Sequence, residues 1–167
     1  KKNYGETAVV IEHKRDHPDI RQVRRRGHLA VFGNAADAET LKDAGIGKAS
    51  RLISFLSDEQ LSIAIMQTLH ANLRHKRLGD PLDCYLHLGN ARVTQLVQQS
   101  TLFHPEAESG LRLHFFNLHH MLSRQFFHQF VRTYATELAA GKTSFCLIFL
   151  GWDELSRALV FQALQVL

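Results

Sequence analysis

At 167 residues the chain is long enough for one domain with a hydrophobic core. Its 45% hydrophobic and 22% charged residues are those of an ordinary soluble globular protein; no run approaches the roughly 18 apolar residues of a membrane helix, and the opening Lys-Lys-Asn-Tyr leads into no signal-peptide core. The net charge of +4 is mild. The dense basic stretch Arg21–Gly27 has no interleaved aromatic residues for base stacking, so it reads as a solvated helix face and no nucleic-acid partner is expected. Cys84 and Cys146 lie in apolar, strand-like runs without metal spacing and read as buried thiols of a reducing compartment.

In chain order, Ala8–Glu12 predicts a strand and Asp19–Arg26 a short helix stopped by Gly27. His28–Asn34 predicts a second strand closed by a glycine turn, and Asp37–Gly45 a helix with acids in its first turn. Ser50–Ser57 is a third strand. Ser57-Asp58-Glu59-Gln60 then fits a capping box, with the serine as cap and the glutamine reaching back. The following helix carries Leu61, Ala64, Ile65, Thr68, Leu69 and Leu73 at helical spacing. Leu82–Leu88 is a fourth strand, and Asn90 caps a helix with Val93, Leu96 and Val97 inward. This alternation predicts an α/β fold of the Rossmann-like, doubly wound parallel type.

After Ser100 the pattern changes. Phe103–Gly110 reads as a loop and Leu111–Asn117 as a short strand. A long helix over about 118–140 carries Met121, Leu122, Phe126, Phe127, Phe130, Val131, Tyr134 and Leu138. So broad a stripe predicts burial on two sides or against another subunit. An apolar strand, a glycine turn and a last helix follow. Both termini read as cuts through a larger protein. The expected units are 1–110, an incomplete Rossmann-like domain; 111–142, a strand and long crossover helix; and 143–167, the start of a second such unit or a substitute first strand.

Ligands of open parallel sheets bind beyond the carboxyl ends of the strands. The residues there are Glu12 and His13, then Asn34 and Ala35, then Leu56 and Ser57. Glu12 offers two acceptor oxygens for ribose hydroxyls. Asn34 suits an adenine edge, Ala35 lets a ring lie close, and Ser57 opens a helix near the phosphates or water. Equally, Glu12 reads as a surface acid balancing Lys14 and Arg15, and Asn34 as a turn residue tolerant of left-handed backbone. A ribose-binding acid follows a glycine-rich phosphate loop by about 20 residues, yet only eleven residues precede Glu12. His114, His119, His120 and His128 read as the polar face of an interface helix rather than a metal site. No catalytic constellation stands out, so no enzyme is expected.

The segments "AVVIEHKRD", "VFGNAADAETLKDAGI" and "RLISFLSDEQLSIAIMQTL" together resemble the TrkA-N, or RCK, family of regulators of potassium conductance. The resemblance covers roughly 8–100. It implies a cytoplasmic regulatory domain at the inner face of the membrane, attached to a potassium channel or transporter subunit of the same or a separate chain. It implies binding of NAD(H) or another adenine nucleotide, and pairing into homo-oligomers, with a dimer through the 115–138 region expected here. The phenylalanines Phe115, Phe116, Phe126, Phe127 and Phe130 are the candidates for that surface. It also implies a first strand and GxGxxG turn just upstream of Lys1, so these 167 residues alone are not expected to complete a dinucleotide site. "SFCLIFLGWDEL" looks like a second first strand and turn, as in tandem-RCK chains of the Castor/Pollux type. Its fingerprint has decayed: Gly151 keeps the first glycine position, but Asp153 and Ser156 stand at the next two. Acids at a helix start suit a cap and repel pyrophosphate. Two alternatives stay open: a fragment of an NAD-dependent oxidoreductase, and a structural oligomerisation module without ligand.

Overall fold

The computed structural model of the chain describes residues 8–73, 80–100, 110–141 and 146–166. Strands β1 (Val9–Glu12) and β2 (Leu29–Phe32) flank helix α1 (Ile20–Arg25); helix α2 (Ala38–Asp43) and a 3-10 turn (Ile46–Lys48) lead into β3 (Arg51–Ser54). Then come α3 (Glu59–Leu73), β4 (Leu82–His87), α4 (Ala91–Gln99), β5 (Leu111–Phe116), α5 (Leu118–Ala139) and α6 (Glu154–Val166). The strands pair in parallel throughout, as the alternating pattern predicts, and the chain folds as a Rossmann-like α/β structure.

The sheet has two ladders. One is β1–β2; the other is β3–β4–β5. No ladder joins β1 to β3 among the described residues. The main core consists of Leu41, Ile65, Met66, Leu69, Leu82, Cys84, Leu86, Leu88, Val97 and Leu111, all buried. Ile11 of β1 packs against it, and no described residue of β2 does. β1 is therefore the strand of its pair that lies toward the larger ladder. The connection after β2 is anchored there as well: Thr68 Oγ1 donates to the Ala36 carbonyl at 2.7 Å. β5 pairs with β4 over six residues, so the sheet of the first expected unit continues beyond residue 110.

Helix boundaries follow local chemistry. Gly27 and Gly45 adopt left-handed backbone, with φ of 82° and 78°, just after α1 and α2. Asn90 caps α4 by accepting from the Arg92 N–H at 2.9 Å. The expected capping box at Ser57 is corrected. Asp58 Oδ1 accepts from the N–H groups of Gln60 at 2.9 Å and Leu61 at 3.2 Å, so the aspartate is the cap and α3 starts at Glu59. A carboxylate one residue before the first helical residue reaches the N2 and N3 donors directly, which leaves the serine outside. Leu96 points away from the core and is 64% exposed, because Val97 takes the inward position of this short helix.

The aromatic stripe of α5 is real but divides differently from the expectation. Phe127 and Ser123 are buried, and α5 packs against α6. Phe126, Phe127, Phe130 and Tyr134 form a chain of ring contacts along the helix, with centres 4.9–6.3 Å apart. Phe115 packs against the main core, and Phe116 contacts Phe55 at 5.5 Å. Of the five phenylalanines expected at a pairing surface, Phe126 is the exposed one and Phe130 is partly covered. The expected apolar strand near the end does not form in its described part: residues 146–150 have no ladder partner, and Ile148 and Leu150 stand out from the fold. A strand without a neighbouring edge leaves its N–H and C=O groups without a ladder, so hydrophobicity alone does not make one. Cys84 is buried as expected, but Cys146 is exposed in this same unpaired run. The loop expected over Phe103–Gly110 lies outside the described residues except for Gly110.

Candidate functional site

Parallel strands bring their carboxyl ends to one side of the sheet. Glu12 ends β1, and in the register it lies beside Phe32, the last residue of β2. The Gly33 N–H donates to the Glu12 carbonyl at 3.1 Å, so the turn that carries Asn34 is hydrogen-bonded directly to the strand that carries Glu12. The two residues singled out from the sequence thus sit at adjacent strand ends. Gly33 is needed here for close approach: a Cβ at this position would collide with the Thr40 side chain.

The Glu12 carboxylate is pre-positioned. Its Oε1 accepts from the Lys14 N–H at 2.9 Å and lies 3.0 Å from His13 Nδ1. The Lys14 N–H holds this carboxyl below the usual glutamate range; partial burial pushes the other way, and the nearby His13 and His17 add to the lowering. The group is therefore an anion at neutral pH, and a carboxylate offers acceptor sites on both oxygens. That is what a pair of ribose hydroxyl donors needs. His13 is largely exposed beside it.

Asn34 uses its Oδ1 locally, accepting from the Ala36 N–H at 3.0 Å. This is the Asx turn that asparagine forms readily. Its amide NH2 is a donor, the type of group suited to an acceptor nitrogen of a base. Ala35 is partly buried and packs against the main core. Leu56 and Ser57 stand beyond β3, on the other ladder. The Leu56 carbonyl lies 3.3 Å from His87 Nδ1, and Ser57 is exposed. No described hydrogen bond ties Leu56 or Ser57 to the Glu12–Asn34 pair.

The basic stretch sits beside this end of the sheet without forming a polyanion track. Arg24 and Arg15 lie over the Phe32 ring, at 5.5 Å and 5.6 Å from its centre. The arginines of α1 are otherwise exposed. At the far end, Asp153 caps α6 by accepting from the Ser156 N–H at 2.7 Å, and that bond lowers its pKa. The turn at Gly151 thus presents a carboxylate at the helix start where a phosphate would have to sit.

Several polar groups of the larger ladder escaped the sequence reading. Glu59 Oε1 accepts from the Asn90 N–H at 2.6 Å, and Asn117 Nδ2 donates to the Gly89 carbonyl at 2.6 Å. His87 is buried at the end of β4. The sequence signal for these was weak: each is a single polar residue just past an apolar strand, and which ends converge depends on strand order. His114, grouped with the helix histidines as an interface face although it falls in the strand expected over Leu111–Asn117, lies on β5 and joins Arg112 in contacting Asp83 of β4. The same is true of its ring stacking on Tyr85 at 4.6 Å. These pairs serve the β4–β5 ladder.

Among the described residues no helix is long and apolar enough to cross a membrane. Residues 1–78 match the TrkA-N domain family. A stretch of 94 residues, 54% of the chain, is 29% identical to the glutathione-regulated potassium-efflux system protein KefC of Cronobacter sakazakii, and covers 15% of that protein.

Proposed function

We propose that the chain, whose residues 1–78 match the TrkA-N domain family, is a non-catalytic regulatory unit of a potassium transport system, one that senses an adenine nucleotide such as NAD(H). The observation that carries this reading is Glu12. It stands at the carboxyl end of a parallel strand, its carboxylate is fixed by the Lys14 N–H, and its backbone carbonyl accepts from the Gly33 N–H of the turn that carries Asn34. The ribose would bind Glu12, with His13 flanking it, and the base would lie against Asn34 and Ala35. Leu56 and Ser57 would approach from the neighbouring ladder. The likeness to a protein named for potassium efflux supports the transport setting.

The partner in this reading is a membrane channel or transporter subunit, in the same chain or another, with the domain on the cytoplasmic side. Ligand binding changes the relative position of paired domains, and the membrane gate responds to the difference in affinity between the two arrangements. Met121, Leu122 and Phe126, exposed on α5, support pairing through the 115–138 region. The expected second unit at 143–167 enters this reading as a packing element for α5. Its turn at Gly151 is a poor phosphate site because Asp153 occupies the helix start with negative charge.

Nucleotide titration of the complete protein by calorimetry tests the role of Glu12. Glu12→Arg should weaken NADH binding at least tenfold, or shift preference toward a ribose that carries a 2′-phosphate, since a guanidinium replaces the acceptor with a cation. An unchanged affinity for NADH would remove Glu12 from the site. Stabilisation of the complete protein by none of NADH, NAD, ATP, ADP or AMP, with a stable oligomer, would favour the structural module instead.

A further inference from the structure

The larger ladder ends in a second polar centre whose histidines the nucleotide reading does not use. His87 is the last residue of β4 and is 6% exposed. Its Nδ1 lies 3.3 Å from the Leu56 carbonyl. A carbonyl oxygen only accepts, so Nδ1 carries the hydrogen, and in the neutral ring Nε2 keeps its lone pair. That Nε2 is buried without a hydrogen-bond partner among the described residues. His119, in the first turn of α5, likewise holds a buried Nδ1 without a partner. The two rings are 5.7 Å apart, centre to centre, and nearly perpendicular at 85°. Phe116 packs edge-on against His87, and Phe55 against Phe116.

Buried ring nitrogens without partners are uncommon, and each calls for a physical account. Two of them in neighbouring rings point to one shared electron-pair acceptor. Imidazoles that share one tetrahedral metal through nitrogens at about 2.1 Å have ring centres roughly 5–6 Å apart, and the observed spacing falls in that interval. The contact between His87 Nδ1 and a backbone carbonyl is also the outer bond that fixes the tautomer of a metal-bound imidazole. Two acidic side chains lie in the neighbourhood of the pair. Asp153 is close enough to His119 for an electrostatic effect. Glu59 Oε1 and His87 Cε1 lie on the same side of Gly89, 3.6 Å and 3.9 Å from where a Cβ would stand.

We propose that His87 Nε2 and His119 Nδ1 form a two-histidine site for a transition-metal ion of the zinc class, separate from the Glu12–Asn34 strand ends. Among the described residues no group of three or more His, Cys, Asp or Glu is placed to hold a metal. The pair therefore supplies two ligands and leaves the remaining positions to water or an incoming ligand. Such an open site binds more weakly than a closed four-ligand structural site and is reversible. Because His87 ends β4 and His119 begins α5, occupancy would tie the larger ladder to the helix that carries the exposed aromatic stripe.

The test is zinc titration of the 167-residue chain by calorimetry, with cobalt(II) as a spectroscopic probe and 15N chemical shifts of the histidine side chains as the site-specific readout. The chain has eleven histidines, so the variants carry the assignment. One zinc per chain is expected, with a large shift of the His87 Nε2 resonance. His119→Gln, at a partly exposed position, should weaken binding at least tenfold, and His87→Gln likewise. His120→Ala, its exposed neighbour, should change affinity less than twofold. Equal zinc affinity in wild type and His119→Gln, or an unmoved His87 Nε2 resonance in saturating zinc, would overturn the site and leave a buried water as the occupant. The resonance in the wild-type chain decides the matter even where His87→Gln fails to fold.

Discussion

The two ladders of the sheet run in the same direction but are built to different standards of burial. In β4, Leu82, Cys84, Leu86 and His87 are all buried. In β1 and β2 no residue is. β1 reaches the common core through Ile11 alone, and the turn after β2 is held there by Thr68, Ala35 and Ala36. The smaller ladder carries the carboxylate proposed to read a ribose, while the larger one carries most of the core. A sensing region drawn from the less buried part of a fold opens at lower free energy, which lets a ligand change its order.

Truncation in each ladder gives the largest contrast. Leu86→Ala removes a side chain with no exposure near the carboxyl end of β4 and should cost about 2–5 kcal/mol in urea unfolding. Ile11→Ala, at a partly covered site, should cost about 1 kcal/mol, because less apolar surface is lost and solvent can fill the space. Comparable losses at the two positions would mean that the ladders share one core equally. Hydrogen exchange should show the β1–β2 amides opening before those of β4 and β5.

Next in size is the cap of α3, which starts at the edge of the larger ladder. Asp58→Ala should destabilise the chain by about 1 kcal/mol, since two amide donors lose their acceptor. Ser57→Ala should change the melting temperature little. The opposite ranking would restore the serine cap that the sequence pattern suggested.

The ease of reading the sequence also differed between regions. Strand and helix positions were legible up to Ser100, because apolar runs, glycine stops and the Asn90 cap each act over a few residues. Glu12 and Asn34 were legible as strand-end residues for the same reason. The His87–His119 pair was not, since the two residues are 32 positions apart and meet only when β4, β5 and α5 are assembled. The apolar run ending at Leu150 failed in the other direction. Its composition favours a strand, but strand formation depends on a neighbouring edge that composition cannot supply. Phe127 was misplaced because a broad aromatic stripe does not say which ring faces α6.

A smaller effect concerns the edge of the larger ladder. Ile53 and Phe55 are exposed on and just after β3, whose other side has no ladder partner among the described residues. Open apolar edges promote association. Ile53→Lys should reduce concentration-dependent association in light scattering while leaving the melting temperature within a few degrees. Unchanged association would place the contact elsewhere, with the exposed residues of α5 the next surface to alter.

The smallest effects are those of the depressed carboxylates, and their pH dependence separates the ladders once more. Asp83 on β4 is held below its ordinary 3.8 chiefly by the hydrogen bond from His114 and then by Arg112, both on β5. Glu12 is held below 4.5 chiefly by the Lys14 N–H. A folded-state pKa below the unfolded one means that the unfolded chain takes up the proton first as pH falls. Each group therefore contributes stability that is fully present above its ordinary value and is lost as pH drops through the lower folded value. Melting temperatures of wild type and Asp83→Asn should differ at pH 6 and converge as acid is added below pH 3.8. Glu12→Gln should show the same sign, with convergence beginning below pH 4.5. Because Asp83 bridges two strands and Glu12 bonds within its own turn, Asp83→Asn should also raise exchange of the β4–β5 amides, whereas Glu12→Gln should alter only the amides near Lys14. A wild-type advantage that grew as the pH fell would reverse the sign of both shifts and remove the ion pairing between β4 and β5 as its cause.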